Sequence, residues 1–243
     1  MARAPRVRSF CVLHPDCEFS DPKFRHDSER VELAAQSSPL AGRRQATLEE
    51  GASFDVVFPA RTGQDVIFQE VAKASVLDAI ENFRSATFVA FGPSGCGKTF
   101  AVTGGAKRFA DRGLIPRSIC AIFEAIGARG PDRSDFEVSI SFFEMYKGAV
   151  VDLLSDKRRK VAIQPRSQDD PSGRQGPALV GLLRHSAASE TDAYQLLFQG
   201  DSNRHFERWP QNAETSRGHV FYVAYVTHAP SGRRGGLPLA DLA

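Results

Sequence analysis

The chain has 243 residues, 42 % of them hydrophobic and 25 % charged, which suits one sizeable domain with a real core. Its formal charge of +2 is too slight to argue for a nucleic-acid partner, and no apolar run reaches membrane-spanning length. Met1–Arg8 is basic but leads into no long apolar core, and Cys11, Cys17, Cys96 and Cys120 lack metal-ligand spacing, so a reduced, cytoplasmic compartment is expected.

In chain order, the first strong pattern is apolar recurrence at spacings of three and four, Ile67, Val71, Ala74, Leu77 and Ile80, which predicts an amphipathic helix over 64–83. Ala86–Phe91 is a short continuous apolar run, as expected of a strand buried on both faces of a parallel sheet. A helix is expected from Lys98 to Arg108, where no proline intervenes, and another near Pro116 carrying Ile119, Ile122, Phe123 and Ile126. Alternation over 135–146, with Phe136, Val138, Ile140 and Phe142 on one side, predicts a strand. Residues 157–176 are polar and rich in Pro, Gly and Ser, which marks a surface excursion. Ser189 is placed to cap a helix that closes at Gly200. A second alternating strand over 217–227 is expected to pair with the first, and Leu237–Ala243 is an apolar stretch with one acid, Asp241; Pro238 counts against a fully paired central strand there. Strands interleaved with helices predict an α/β fold, a P-loop NTPase-type layered sheet with helices on both faces. There is no internal repeat and no heptad segment that would imply a dimer, so the oligomeric state stays open.

Between that apolar run and the helix start lies Gly92-Pro93-Ser94-Gly95-Cys96-Gly97-Lys98-Thr99, a complete GxxxxGK[ST] pattern. Gly92, Gly95 and Gly97 let the backbone curl so that amide groups face an anion. Lys98 adds a mobile positive charge, and the Thr99 hydroxyl suits Mg²⁺. Cys96 reads either as a thiol activated by the loop amides or as a small residue turned away. Asn212-Ala213-Glu214-Thr215-Ser216-Arg217-Gly218-His219 is a polar turn that either completes a phosphate site with hydroxyls and a guanidinium or merely caps a strand. Asp241, emerging from a buried strand, is a candidate holder of Mg²⁺ or its water.

These segments together resemble the kinesin motor domain. Phe54-Asp55-Val56-Val57-Phe58 is similar to the family's FDxVF strand, Gly113-Leu114-Ile115-Pro116-Arg117 to its GIIPR turn, and Ser141–Tyr146 with Val151-Asp152-Leu153-Leu154 to its SYxEIYNExxxDLL signature. Asn212–His219 stands where the family has NxxSSRSH, its first switch, and Asp241-Leu242-Ala243 begins the DLAGSE second switch. The resemblance implies ATP and Mg²⁺ as cofactors, ATP hydrolysis, and movement on microtubules in the cytoskeleton. By position, Gly92–Phe100 would cradle the nucleotide, with Pro93, Ser94 and Cys96 among the contacts; Lys98 would neutralise the phosphates. Thr99, Ser216 and Asp241 would serve Mg²⁺, Thr215 would place the attacking water, and Arg217 would latch to the second switch.

The departures are specific. Val12-Leu13-His14-Pro15 stands for the family's RxRP, leaving His14 and Pro15 as the candidate base contacts. Thr215 and Gly218 replace two serines, and Gly218 loses a hydroxyl while adding flexibility. Ala243 falls just before the glycine and glutamate of the second switch, so residues 1–243 are expected to be a partial motor domain, inactive by itself. Lys157, Arg158, Arg159 and Lys160 form a basic cluster that suits acidic tubulin or is simply solvated. The competing expectation is a degenerate motor-like module that binds nucleotide weakly and acts as a scaffold. An unrelated nucleotide kinase or GTPase is disfavoured, since no NKxD-type motif is present.

Overall fold

The computed structural model describes residues 7–15, 24–33, 50–105, 108–156, 159–164, 178–204, 206–209, 212–216 and 218–242. The chain divides into two compact units, Met1–Ile67 and Phe68–Ala243. In the first unit, β1 (Phe10–Val12) runs parallel to β5 (Val56–Phe58), and β2 (Phe24–His26), β3 (Arg30–Leu33) and β4 (Glu50–Ser53) form a small antiparallel sheet. The turn between β2 and β3 is closed by Asp27, whose carboxylate accepts from the amides of Glu29 and Arg30; those bonds favour its ionised form and lower its pKa.

The helix expected over 64–83 forms as α1 (Gln64–Phe68), a π-helical stretch Gln69–Lys73, and α2 (Ala74–Glu81). Ile67 and Ile80, the ends of the predicted stripe, are buried, but across the wider π turn Val71 and Leu77 are only half-buried and Ala74 is exposed, while Ala72, Val76 and Ala79 are buried instead. Spacings of three and four thus locate the element and the two ends of its buried face, but not the middle.

The second unit is organised on one large sheet, in the order β10 (Ala178–Val180), β9 (Lys160–Gln164), β8 (Ala149–Asp152), β7 (Phe136–Tyr146), β14 (His219–His228), β15 (Arg233–Asp241), β6 (Phe88–Ala90), with β11 (His185–Ser186) on β7. The two long alternating segments pair antiparallel over ten residues, from His219↔Met145 to His228↔Phe136, as expected from their pattern. Their even-numbered residues Val138, Ile140, Phe142, Tyr222, Ala224 and Val226 are all buried. On that face Gly235 meets Ala79 of α2, and Phe142 meets Gly200 of α5 (Glu190–Ser202). The other face carries a second core of Phe143, Val150, Val161 and Val223, drawn from β7, β8, β9 and β14.

Several expectations require correction. The 86–91 run is not buried on both faces: β6 covers only Phe88–Ala90, has β15 as its ladder partner among the described strands, and leaves Val89 56 % and Phe91 88 % exposed. The helix after the glycine loop, α3 (Lys98–Val102), stops short of Arg108, because Gly104 takes a positive φ and backs onto the Asp111 carbonyl. α4 (Leu114–Gly127) begins two residues ahead of Pro116, which sits buried in the first turn. Ser189 does cap α5, with the reciprocal bond from its own amide to Asp192, but Gly200 does not end the helix. Gly200 is there because a side chain would overlap the Phe142 ring. Within the 157–176 excursion, β9 pairs with both β8 and β10 and buries Val161. Its remaining residues, with Lys157 and Arg158, lie outside the described set, while Arg159 and Lys160 are exposed.

Pro238 is accommodated by position. Gly236 donates to Ser85 Oγ and accepts from the Ala86 amide, so the amide two residues on faces the same edge. The parallel ladder to β6 begins only at Leu239, and the missing donor of Pro238 falls just before it.

Candidate nucleotide site

The site starts from the parallel pairing of β6 and β15. Leu239↔Phe88, Ala240↔Val89 and Asp241↔Ala90 bring the carboxyl ends of the two strands side by side, and the Leu242 amide donates to the Ala90 carbonyl. Ligands in such sheets sit beyond the carboxyl ends of the strands. From that end Phe91 leads directly into the glycine loop. Gly92, Gly95 and Gly97 adopt φ of 154°, 83° and 92°, so the three glycines of the motif occur where a side chain would be strained. Gly97 is the left-handed residue that opens α3 (Lys98–Val102), and the first amides of a helix have no partner within it. Amides turned to one side in this way form an anion-binding concavity.

Lys98 folds back over the loop. Its Nζ donates to the Gly92 carbonyl at 2.9 Å and to the Pro93 carbonyl at 3.0 Å, which holds the ammonium at the rim of the curl. Thr99 Oγ1 donates to Asp241 Oδ2 at 2.6 Å, across 142 positions of sequence. A hydroxyl and a carboxylate oxygen side by side, next to an anion-binding loop, are the hard oxygen donors that Mg²⁺ takes. The residues present therefore fit that ion.

Asp241 is 5 % exposed and is held by more than Thr99. Arg204, immediately after α5, reaches its Oδ2 with Nη2 at 3.4 Å and Asp201 Oδ1 with Nη1 at 3.1 Å. The side chains of Arg204 and Asp241 are only 3 % and 7 % exposed, so the pair is a buried ion pair whose Coulomb attraction is little screened. No sequence pattern marked Arg204; the usable signal was indirect, since a buried aspartate implies a nearby cation.

Of the other residues singled out, Pro93, Ser94 and Gly95 are exposed, Gly92 and Cys96 half-buried, and Phe100 49 % exposed. The segment expected as a polar turn instead contains a strand, β13 (Asn212–Ser216), paired antiparallel with β12 (Phe206–Trp209). Thr215 and Ser216 lie on β13, and Arg217 lies outside the described residues. Gly218 is buried and leads into β14. His14 and Pro15 follow β1 in the first unit, half-buried and exposed respectively. Among the described residues no cluster of His, Cys, Asp and Glu could hold a metal by itself, and no helix is long and apolar enough to cross a membrane.

The glycine curl and its flanking acid, at the ends of two parallel strands, put the chain in the P-loop NTPase-type class of α/β folds. Sequence comparison narrows the class: the profile described as "Kinesin motor domain" matches residues 18–243, and the chain belongs to that family. Kinesin-like protein 3 of Schizosaccharomyces pombe is 33 % identical over 78 % of this chain and 34 % of its own length. Mouse kinesin-like protein KIF9 is 27 % identical over 93 % of this chain and 28 % of its own length. Kinesin-related protein 5 of Dictyostelium discoideum is 30 % identical over the full chain and 24 % of its own length. The chain thus spans about a third or less of these relatives. A solved structure titled "Structure of a fast kinesin: Implications for ATPase mechanism and interactions with microtubules" superposes with a TM-score of 0.77, at 23 % identity, over 98 % of this chain and 65 % of that one.

Proposed function

We propose that this chain is the nucleotide-binding part of an ATP-driven microtubule motor, taking ATP with Mg²⁺ and serving hydrolysis coupled to movement along the cytoskeleton. The observation that carries the reading is the 2.6 Å bond from Thr99 Oγ1 to Asp241 Oδ2 beside a loop with three positive-φ glycines. It joins two of the three residues that the family resemblance assigns to the metal.

In this reading Gly92–Phe100 cradles the phosphates, and Lys98 exchanges its loop carbonyls for phosphate oxygens. Thr99, Ser216 and Asp241 are the groups that would hold Mg²⁺, directly or through water, and the ion supplies charge neutralisation at the phosphates. Thr215 orients the attacking water, Arg217 answers charge that develops during transfer, and His14 with Pro15 flanks the base. Exposed Arg159 and Lys160 give positive charge for an acidic filament. Membrane and nucleic acid have no part in this reading.

The test is calorimetric titration of Mg·ATP into the chain and into Lys98→Ala, followed by ATP turnover with and without microtubules. Binding that Lys98→Ala weakens, with turnover raised by microtubules, supports the motor. Binding too weak to saturate favours the static module, which the replaced RxRP arginines favour on the sequence side. Equal affinity of the two proteins removes Lys98 from its role.

A further inference from the structure

The turn Asp152-Leu153-Leu154 at the end of β8 is buried at all three residues and held on every side. The Asp152 carboxylate accepts from the Leu154 amide at 2.9 Å and from the Leu183 amide at 3.0 Å, while the Leu153 amide donates to the Phe142 carbonyl. A carboxylate bonded to two amides is a strong, directional anchor. With those groups engaged, the two leucine carbonyls meet the carboxyl end of α5. Asn203 Nδ2 donates to the Leu153 carbonyl at 2.8 Å, and Gln199 Nε2 donates to the Leu154 carbonyl at 3.3 Å. The turn is therefore a seat for the end of that helix.

Asn203 directly precedes Arg204, whose guanidinium reaches Asp201 and Asp241. Asp241 Oδ2 accepts from Arg204 Nη2 and also from Thr99 Oγ1. An unbroken series of contacts thus runs from Asp152 through the Leu153 carbonyl, Asn203, Arg204 and Asp241 to Thr99. A long arginine side chain loses much rotamer freedom when it is held in one pose, and it aims at one acceptor only if its own backbone is fixed.

We propose that Asn203, backed by Gln199, is a positioning residue for the metal side of the site. Its bond to the Leu153 carbonyl fixes the end of α5 so that Arg204 keeps the Asp241 carboxylate beside Thr99. The inference rests on the proposed function and deepens it, because it gives the Asp152-Leu153-Leu154 part of the family signature a role in setting that site. Asn203 acts through Arg204 and touches neither nucleotide nor metal.

The test compares Asn203→Ala with the unsubstituted chain in two readouts besides the melting midpoint. The first is hydrogen exchange of the Arg204 Nη protons, followed by nuclear magnetic resonance and assigned by the signal lost in Arg204→Lys. The second is the Mg²⁺ concentration that half-saturates binding of a fluorescent ATP analogue. Loss of one hydrogen bond is expected to speed the exchange about tenfold and to raise the Mg²⁺ requirement about three- to tenfold. A lower melting midpoint with Arg204 exchange unchanged is what a merely structural bond gives, and it overturns the proposal. Faster exchange with an unchanged or lower Mg²⁺ requirement overturns it too, as does the lack of a slowly exchanging Arg204 signal in the unsubstituted chain. If Asn203→Ala does not fold, Gln199→Ala is read in the same way, with smaller rises expected and no rise counting against the proposal. No analogue binding by the unsubstituted chain refutes the proposed function and with it the metal role, and the exchange rates then decide by themselves whether Asn203 sets Arg204.

Discussion

The phosphate loop gathers its groups within eight consecutive residues, whereas the acidic side of the site joins Asp201 of α5 and Arg204 just beyond that helix to Asp241 of β15, 40 positions on from Asp201. The loop depends on backbone conformation: three glycines at positive φ and one lysine bonded to carbonyls five and six residues away. The acidic side depends on strand register, which sets Asp241 beside Ala90, and on burial, which makes Arg204 necessary. A local device of the first kind can outlast damage to the core. The second kind fails with the packing around it.

The sharpest way to break this contrast is Arg204→Ala. Removing one member of a buried ion pair leaves Asp241 charged without its buried partner, at a cost of about 3–5 kcal/mol. Chemical denaturation is expected to register that loss, and Arg204→Lys to recover only part of it, since lysine lacks the second donor that reaches Asp201. A cost below about 1 kcal/mol would mean that the pair is wetter than its burial indicates. Next in size is Gly200→Ala, which forces a methyl group onto the buried Phe142 ring and is expected to cost about 1–3 kcal/mol. The same substitution would cost little, or even help, were Gly200 an ordinary helix residue. The smallest effect is at Ser189→Ala, where loss of the bond to the Asp192 amide is expected to cost about 1 kcal/mol with nucleotide affinity unchanged. A drop in affinity at that remote cap would show that the loop is less self-contained than its local hydrogen bonds indicate.

The same physical division explains which features are legible in the sequence. Period-two alternation marks β7 and β14 because both are long and half of each is buried on one face, and the GxxxxGK[ST] spacing marks the loop because its geometry is local. The middle of the first helix's buried face escapes periodicity because a π stretch adds a residue to one turn, and no count of threes and fours contains that. Gly200 resembles a stop signal, yet its reason lies on another element, Phe142 of β7. Arg204 is silent for a related cause: it matters through Asp241, a partner 37 positions away that only tertiary packing brings beside it. Asp241 is legible as an acid ending an apolar run, but its bond to Thr99 is not.

The central claim is that the loop amides, Lys98 and the Thr99–Asp241 pair form one site for a magnesium-bound triphosphate. Calorimetric titration of ATP, with and without Mg²⁺, into the unsubstituted chain and Lys98→Ala tests it most directly. The account predicts saturable binding that requires Mg²⁺ for full strength and that falls about 10- to 100-fold in the variant, the range expected for loss of a charged hydrogen bond. Binding that is indifferent to both Mg²⁺ and Lys98 would contradict it.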